Sequence, residues 1–161
     1  MPLFALATPL EPWKVEHEWS KDKTTVTLAE GEPGGPERVV VNITRGRAGK
    51  NAIGRRVEGD LSAYRWIVVD LDNKIDAGTR VALGLSTGKD WTYYESPPNF
   101  VEAGEHPSVV FDLTAPKYKT EAQSWEYSMR PGDLDDVRSL YLVFYPLGSG
   151  CVVVRRVRLA K

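Results

Sequence analysis

Sulfur and imidazole are scarce in this 161-residue chain, which has one cysteine, Cys151, and two histidines, His17 and His106. A single cysteine excludes an intramolecular disulfide, and two isolated histidines without a nearby cysteine offer no zinc-ligand cluster of the usual spacing. Cys151 opens the apolar run 151–154 and reads as a small buried hydrophobe, not a reactive thiol. An excess of one charge is also missing: 21 Lys and Arg face 22 Asp and Glu, a net charge of −1. The basic footprint of a nucleic-acid module is therefore absent. The longest apolar runs, such as Leu140 to Tyr145, are far too short to span a membrane. The opening MPLFALATPLEP has no basic start and only about five apolar residues before Pro9, too few for a signal peptide. Helical periodicity is equally scarce. Only Pro131 to Val137, with Asp133, Asp135 and Asp136, is suited to start a short helix, and no segment holds ten residues at 3.6 spacing. No linker or repeat divides the chain, so residues 1–161 read as one soluble domain with the first dozen as a tail.

Strand patterning is abundant. Alternation of period two runs through Thr24 to Leu28, Arg38 to Ile43, Arg65 to Leu71, Arg80 to Ser86, Trp91 to Glu95, Ser108 to Leu113, Leu140 to Tyr145 and Val152 to Leu159. Turn clusters separate them: GEPGGPE, DNKIDAG, STGKD, SPPN and PLGSG. Eight or nine strands without packed helices predict an all-β sandwich or barrel. Because side chains alternate across a strand, Ile67, Val69, Leu71, Val81, Leu83, Leu85, Val109, Phe111, Leu113, Leu140, Leu142 and Phe144 form the expected core. The opposite faces then carry Arg80, Ala82, Gly84 and Ser86, beside Trp91, Tyr93 and Glu95, and Tyr141, Val143 and Tyr145. Small residues at 82 and 84 predict a shallow depression walled by aromatic rings.

Several enzyme motifs fail on context. Gly84 to Gly88 matches G-x-S-x-G, with Asp90 and His106 following in hydrolase order, but the nucleophile elbow needs a helix after the turn. Here Lys89, Asp90 and a new strand follow Ser86, the pattern of a hairpin. A phosphate loop at Gly84 to Lys89 is one residue short and has Asp90 in place of Ser or Thr. The cations Arg45, Arg47, Lys50, Arg55 and Arg56 lack interleaved aromatics and read as a solvated loop entering a strand rather than a polyanion site. The pairs Asp70 with Asp72 and Glu16 with Glu18 have a spacing open to a glycosidase but usual on an exposed strand face. Asn42-Ile43-Thr44 is a glycosylation sequon.

Five tryptophans and seven tyrosines are more than the core of so small a β domain needs. Trp13, Trp19, Trp66 and Trp125 suit core or loop-anchor positions. Trp91 and Tyr93, two apart on a strand beside Ala82 and Gly84, suit either the core or the face of a pyranose ring, with Arg80, Glu95 and tyrosine hydroxyls for its hydroxyl rim.

The succession GDLSAYRWIVVDLDN, RVALGLSTGKDWTYYE, SVVFDLTA, Trp125, LDDVRSLYLVFYPLGSG and VVVRRVRLAK resembles the jelly-roll, galactose-binding-like carbohydrate-binding modules attached to glycoside hydrolases. The resemblance covers about residues 37 to 159 and implies a jelly-roll β-sandwich of two antiparallel sheets. It implies a non-catalytic binder of a plant or microbial polysaccharide, extracellular and covalently joined to a catalytic domain. Strands near Ala52 to Val57, Val81 to Leu85, Trp91 to Glu95 and Leu140 to Tyr145 would form the binding sheet. Ligand contacts are expected from Arg80, Trp91, Tyr93, Glu95, Tyr141 and Tyr145, with the loop tips near Asn99 and Trp125 as the other candidate location. Members commonly close with an aspartate that holds a structural calcium, within a pattern like I-D-x-I. This chain reads Val154-Arg155-Arg156-Val157 there, so no metal and no cofactor are expected, and Arg55 with Glu58 or Arg155 with Glu16 are candidates for charge compensation. Two other classes remain open: a structural or protein-interaction sandwich, and a small β-sandwich lyase or glycosidase.

Overall fold

The computed structural model describes residues 11–16, 25–29, 38–44 and 49–161. Its strands are β1 (Lys14–Val15), β2 (Thr25–Ala29), β3 (Arg38–Ile43), β4 (Asn51–Gly59), β5 (Trp66–Asn73), β6 (Thr79–Thr87), β7 (Thr92–Glu95), β8 (Asn99–Val101), β9 (Gly104–Asp112), β10 (Val137–Pro146) and β11 (Gly150–Ala160). They pair antiparallel into two sheets. One has the order β1-β4-β10-β6-β7, with β8 also pairing with β6, and the other has the order β2-β3-β11-β5-β9. This is a jelly-roll β-sandwich, as the alternation and the resemblance anticipated. Among the described residues no helix is long and apolar enough to cross a membrane.

All twelve expected core residues are buried in one cluster between the sheets, joined by Val39, Val41, Ile43, Ile53, Val152, Val154, Val157 and Leu159. The core positions on β11 change parity between Val154 and Val157 because the register shifts there, an extra residue that reverses which side chains face inward. Cys151 falls on the other parity, opposite Asn42 of β3, and is half-buried instead of joining the core. The short β1 and β8 lack the length for visible alternation, and no helix forms at 131–137. There the Asp136 amide donates to the Asp133 carbonyl in a turn, and Val137 begins β10. Among the described residues a 3-10 turn appears instead at Glu121–Gln123.

Charge compensation uses other partners than those expected. Arg155 reaches Asp72 at 3.3 Å, Arg156 and Arg158 converge on Asp70, and Arg56 takes Glu58 at 2.8 Å. Asp70 and Asp72 are thus counterions of β11 arginines, not an open carboxylate pair. Glu18, Arg45, Arg47, His17 and Trp19 lie outside the described residues.

Candidate functional site

Register brings most of the expected site residues together. On the outer face of the six-stranded sheet, Tyr141, Val143 and Tyr145 of β10 lie opposite Gly84, Ala82 and Arg80 of β6. Gly84 and Ser86 lie in turn opposite Glu95 and Tyr93 of β7, while Gly54 and Ala52 of β4 flank Tyr141 and Val143 from the other side. Arg80, Tyr93, Glu95, Tyr141 and Tyr145 therefore share one face.

The small residues do not leave a depression. A Cβ on Gly84 would fall 2.8 Å from the Tyr93 hydroxyl and 3.0 Å from Tyr141 Cβ, and one on Gly54 would fall 2.7 Å from the Tyr141 ring. The glycines let tyrosine rings lie down on the sheet, and Ala52, Ala82 and Val143 form a second buried cluster against Tyr141 and Tyr145. Gly84→Ala is expected to cost about 1–3 kcal/mol by overpacking, read as a lower midpoint in denaturant unfolding. An unchanged midpoint would mean that the Tyr93 ring moves aside freely.

Glu95 is revised most. Its side chain is 0% exposed, and its carboxylate accepts from the Tyr93 hydroxyl at 2.8 Å and from the Tyr145 hydroxyl. Lys50 at 3.1 Å and Lys119 at 3.3 Å complete its shell. Burial alone would raise the Glu95 pKa, but the Tyr145 hydroxyl, Lys50, Tyr93 and Lys119 together outweigh it and hold the carboxyl below its ordinary value. Burial and then the Glu95 charge push Tyr93 upward, while burial and then the hydrogen bond to Glu95 do the same for Tyr145. Both tyrosines therefore stay protonated with their hydroxyl protons committed to Glu95. A sealed carboxylate cannot meet a ligand directly, so Glu95 holds the rings in place from below.

Trp91 is not on the strand with Tyr93. It occupies the turn before β7 with a left-handed φ of 54°, its amide donating to the Gly88 carbonyl at 3.2 Å. Its ring lies 5.4 Å from the Arg56 guanidinium and 5.7 Å from that of Arg138, and it remains 42% exposed, which removes the core alternative.

Trp125, which the sequence leaves as core or loop anchor and as one of the alternative loop-tip locations, lines the same cleft as Trp91. Segment 118–129 is pinned to the free edge of β7 by reciprocal amide–carbonyl bonds between Glu95 and Lys119, and it is closed by another exchange between Tyr118 and Met129. Within it the Thr120 carbonyl accepts from the Trp125 amide at 3.0 Å, holding Trp125 at a φ of 62° with half of its surface exposed. Non-glycine residues rarely adopt this region, and such strain gathers where a side chain must be aimed. Trp91, Tyr93 and Trp125 line one open cleft of about 410 Å³ with Asp90, Thr92, Thr120, Glu121 and Ala122. The Tyr93 ring centroid is 6.4 Å from that of Trp125 and 5.7 Å from that of Tyr141, so the aromatic surface runs from the cleft onto the sheet. Trp125 was legible as a large ring in a polar, non-alternating stretch, the pattern of an exposed loop aromatic.

The three residues of the hydrolase-like order do not share one element. Ser86 is on β6 and donates to the Tyr141 hydroxyl at 3.4 Å, Asp90 is in the following turn, and His106 lies on β9 of the other sheet. The cations within 49–56 are engaged: Lys50 by Glu95, Arg56 by Glu58, and Arg55 by the Glu11 carbonyl and the Trp13 ring. Among the described residues no three His, Cys, Asp or Glu assemble as metal ligands.

No family model matches the chain, and no curated protein matches its sequence. Solved structures do match. The family 11 carbohydrate-binding module CtCBM11, in a solution structure with binding studies, is similar with a TM-score of 0.60 at 13% identity, over 95% of this chain and 90% of that one. The family 11 module from Clostridium thermocellum in complex with a β-1,3-1,4-mixed-linked tetrasaccharide gives 0.59 at 12% identity, over 99% and 93%. PfGH50B gives 0.65 at 12% identity, over 99% of this chain and 23% of that longer one. This chain thus has the jelly-roll β-sandwich fold of the family 11 carbohydrate-binding modules.

Proposed function

We propose that this protein is a non-catalytic module that binds a polysaccharide and keeps a covalently attached catalytic domain close to it in an extracellular setting. The observation that carries the reading is the cleft: two half-exposed tryptophans, both held in left-handed backbone, flank one opening with Tyr93 between them. Rigid exposed rings stack on the apolar faces of sugars at little entropic cost, because their order is already imposed by the fold. The track continues over Tyr141 toward Tyr145 and Arg80, about 13 Å along β10 from Tyr141 to Tyr145. The bound-module structure described above, with its mixed-linked tetrasaccharide, supports an oligosaccharide as the kind of ligand this fold accepts.

Binding by an exposed track is expected in the micromolar to millimolar range, since much of the sugar stays hydrated. Tethering compensates for this by raising the effective concentration of the attached enzyme at its substrate. Affinity electrophoresis against soluble glucans, mannans, xylans and charged polysaccharides tests the reading directly. Retarded migration with one class supports it, and silence across all classes would favour a structural sandwich.

A further inference from the structure

The charges around the cleft are not balanced in the same way on both sides. The two guanidiniums that approach a cleft ring, Arg56 and Arg138 at Trp91, each have a carboxylate, Glu58 and Asp136, and Lys50 and Lys119 share Glu95 behind the Tyr93 hydroxyl. The two carboxylates that line the cleft, Asp90 and Glu121, make no ion pair among the described residues and are exposed. Among the described residues no lysine, arginine, asparagine or glutamine lines the cleft. The Tyr93 hydroxyl donates its proton to Glu95, so only its lone pairs remain for a ligand. The cleft lining therefore carries two carboxylates and no cation, and Trp91, Tyr93 and Trp125, ring types that attract cations, wall it.

Resting on the polysaccharide-binding reading, we propose that this cleft sorts glycans by charge, favouring sugars that carry a protonated amino group over neutral sugars, and neutral sugars over uronates. An ammonium group meets Asp90 and Glu121 by Coulomb attraction and the ring faces by cation–π attraction. A hydroxyl meets the same acceptors as an uncharged donor. A uronate brings a group that has no proton to donate and is repelled by both carboxylates.

The test compares β-1,4-linked hexaoses of glucosamine, glucose and glucuronate by calorimetric titration at pH about 5.5, where the amine is protonated and ordinary carboxylates are ionised. The glucosamine hexaose is expected to bind about 5-fold more tightly than the glucose one. The glucuronate hexaose is expected to bind at least about 5-fold more weakly than glucose, with both gaps narrowing when salt is raised roughly tenfold. In the double variant Asp90→Asn, Glu121→Gln the order is expected to flatten, whereas an unchanged order would overturn the assignment to these two carboxylates. Glucuronate binding as tightly as glucosamine, or glucose binding most tightly, would overturn charge sorting while leaving the polysaccharide reading intact. Silence with all three hexaoses and with the wider polysaccharide panel would overturn both.

Discussion

Trp125→Ala is expected to weaken polysaccharide binding by about 1–3 kcal/mol, roughly 5- to 150-fold, while stability changes by no more than about 0.5 kcal/mol. The asymmetry follows from placement. Half of the Trp125 surface is exposed, and nothing of the core depends on it. The loop that presents it is closed by backbone bonds between Tyr118 and Met129 that any residue at 125 preserves. Alanine at a φ of 62° retains the strain of the left-handed region, so Trp125→Gly provides a companion in which the backbone is relaxed and only the ring is lost. Affinity electrophoresis together with thermal unfolding reads both quantities. Equal retardation of the variant and the parent would remove Trp125 from the site. Trp91→Ala is expected to lose comparable binding and about 1 kcal/mol of stability, because its ring also contacts the Arg56 and Arg138 guanidiniums.

Glu95→Ala is expected to be the most destabilising change on this face, costing about 3–5 kcal/mol, since it leaves two lysines and two tyrosine hydroxyls without their shared acceptor. Its consequence for pH has a definite sign. The folded-state pKa of Glu95 lies below its ordinary value, so its contribution to stability is complete above pH about 4.5 and is lost as pH falls through the folded value. Asp70, held low by Ser108, Arg158 and Arg156 against the opposing effect of burial, contributes in the same direction. Only a difference between parent and variant therefore isolates Glu95. Glu95→Gln keeps the shape but carries no charge, and its stability should vary less than the parent's between pH about 5 and 3. Denaturant midpoints measured across that interval decide the matter, and parallel curves would show that Glu95 titrates alike in the folded and unfolded chain.

These two residues also mark where sequence reasoning ran out. Tyr93, Tyr141, Tyr145, Arg80 and Glu95 were placed on one face by counting in twos, and the register confirms that placement. Counting in twos does not reveal that Gly84 and Gly54 are roofed by rings, since a glycine beneath a side chain and a glycine beneath solvent look the same in a sequence. Nor does it reveal that Glu95 is sealed, because its four partners come from β4, β7, β10 and the 118–129 segment or their immediate flanks. Trp91 was misplaced by one residue at a strand boundary. That shift moves its ring from the sheet to the turn, where Arg56 and Arg138 receive it.

The direction of a side chain from a strand is a local property of the pleat, and the gain from burying an apolar row is large enough to enforce it. For that reason the all-β class and the twelve core residues followed from the amino-acid order alone, while the choice of a sandwich over a barrel came with the family resemblance. The pinning of residues 118–129 to the edge of β7, the pairing of Trp125 with Trp91 across a cleft, and the conversion of Glu95 from a surface acid into a buried hub were decided only by tertiary structure. Each depends on hydrogen bonds between segments far apart in the chain, and such bonds leave no period in the sequence from which they can be read.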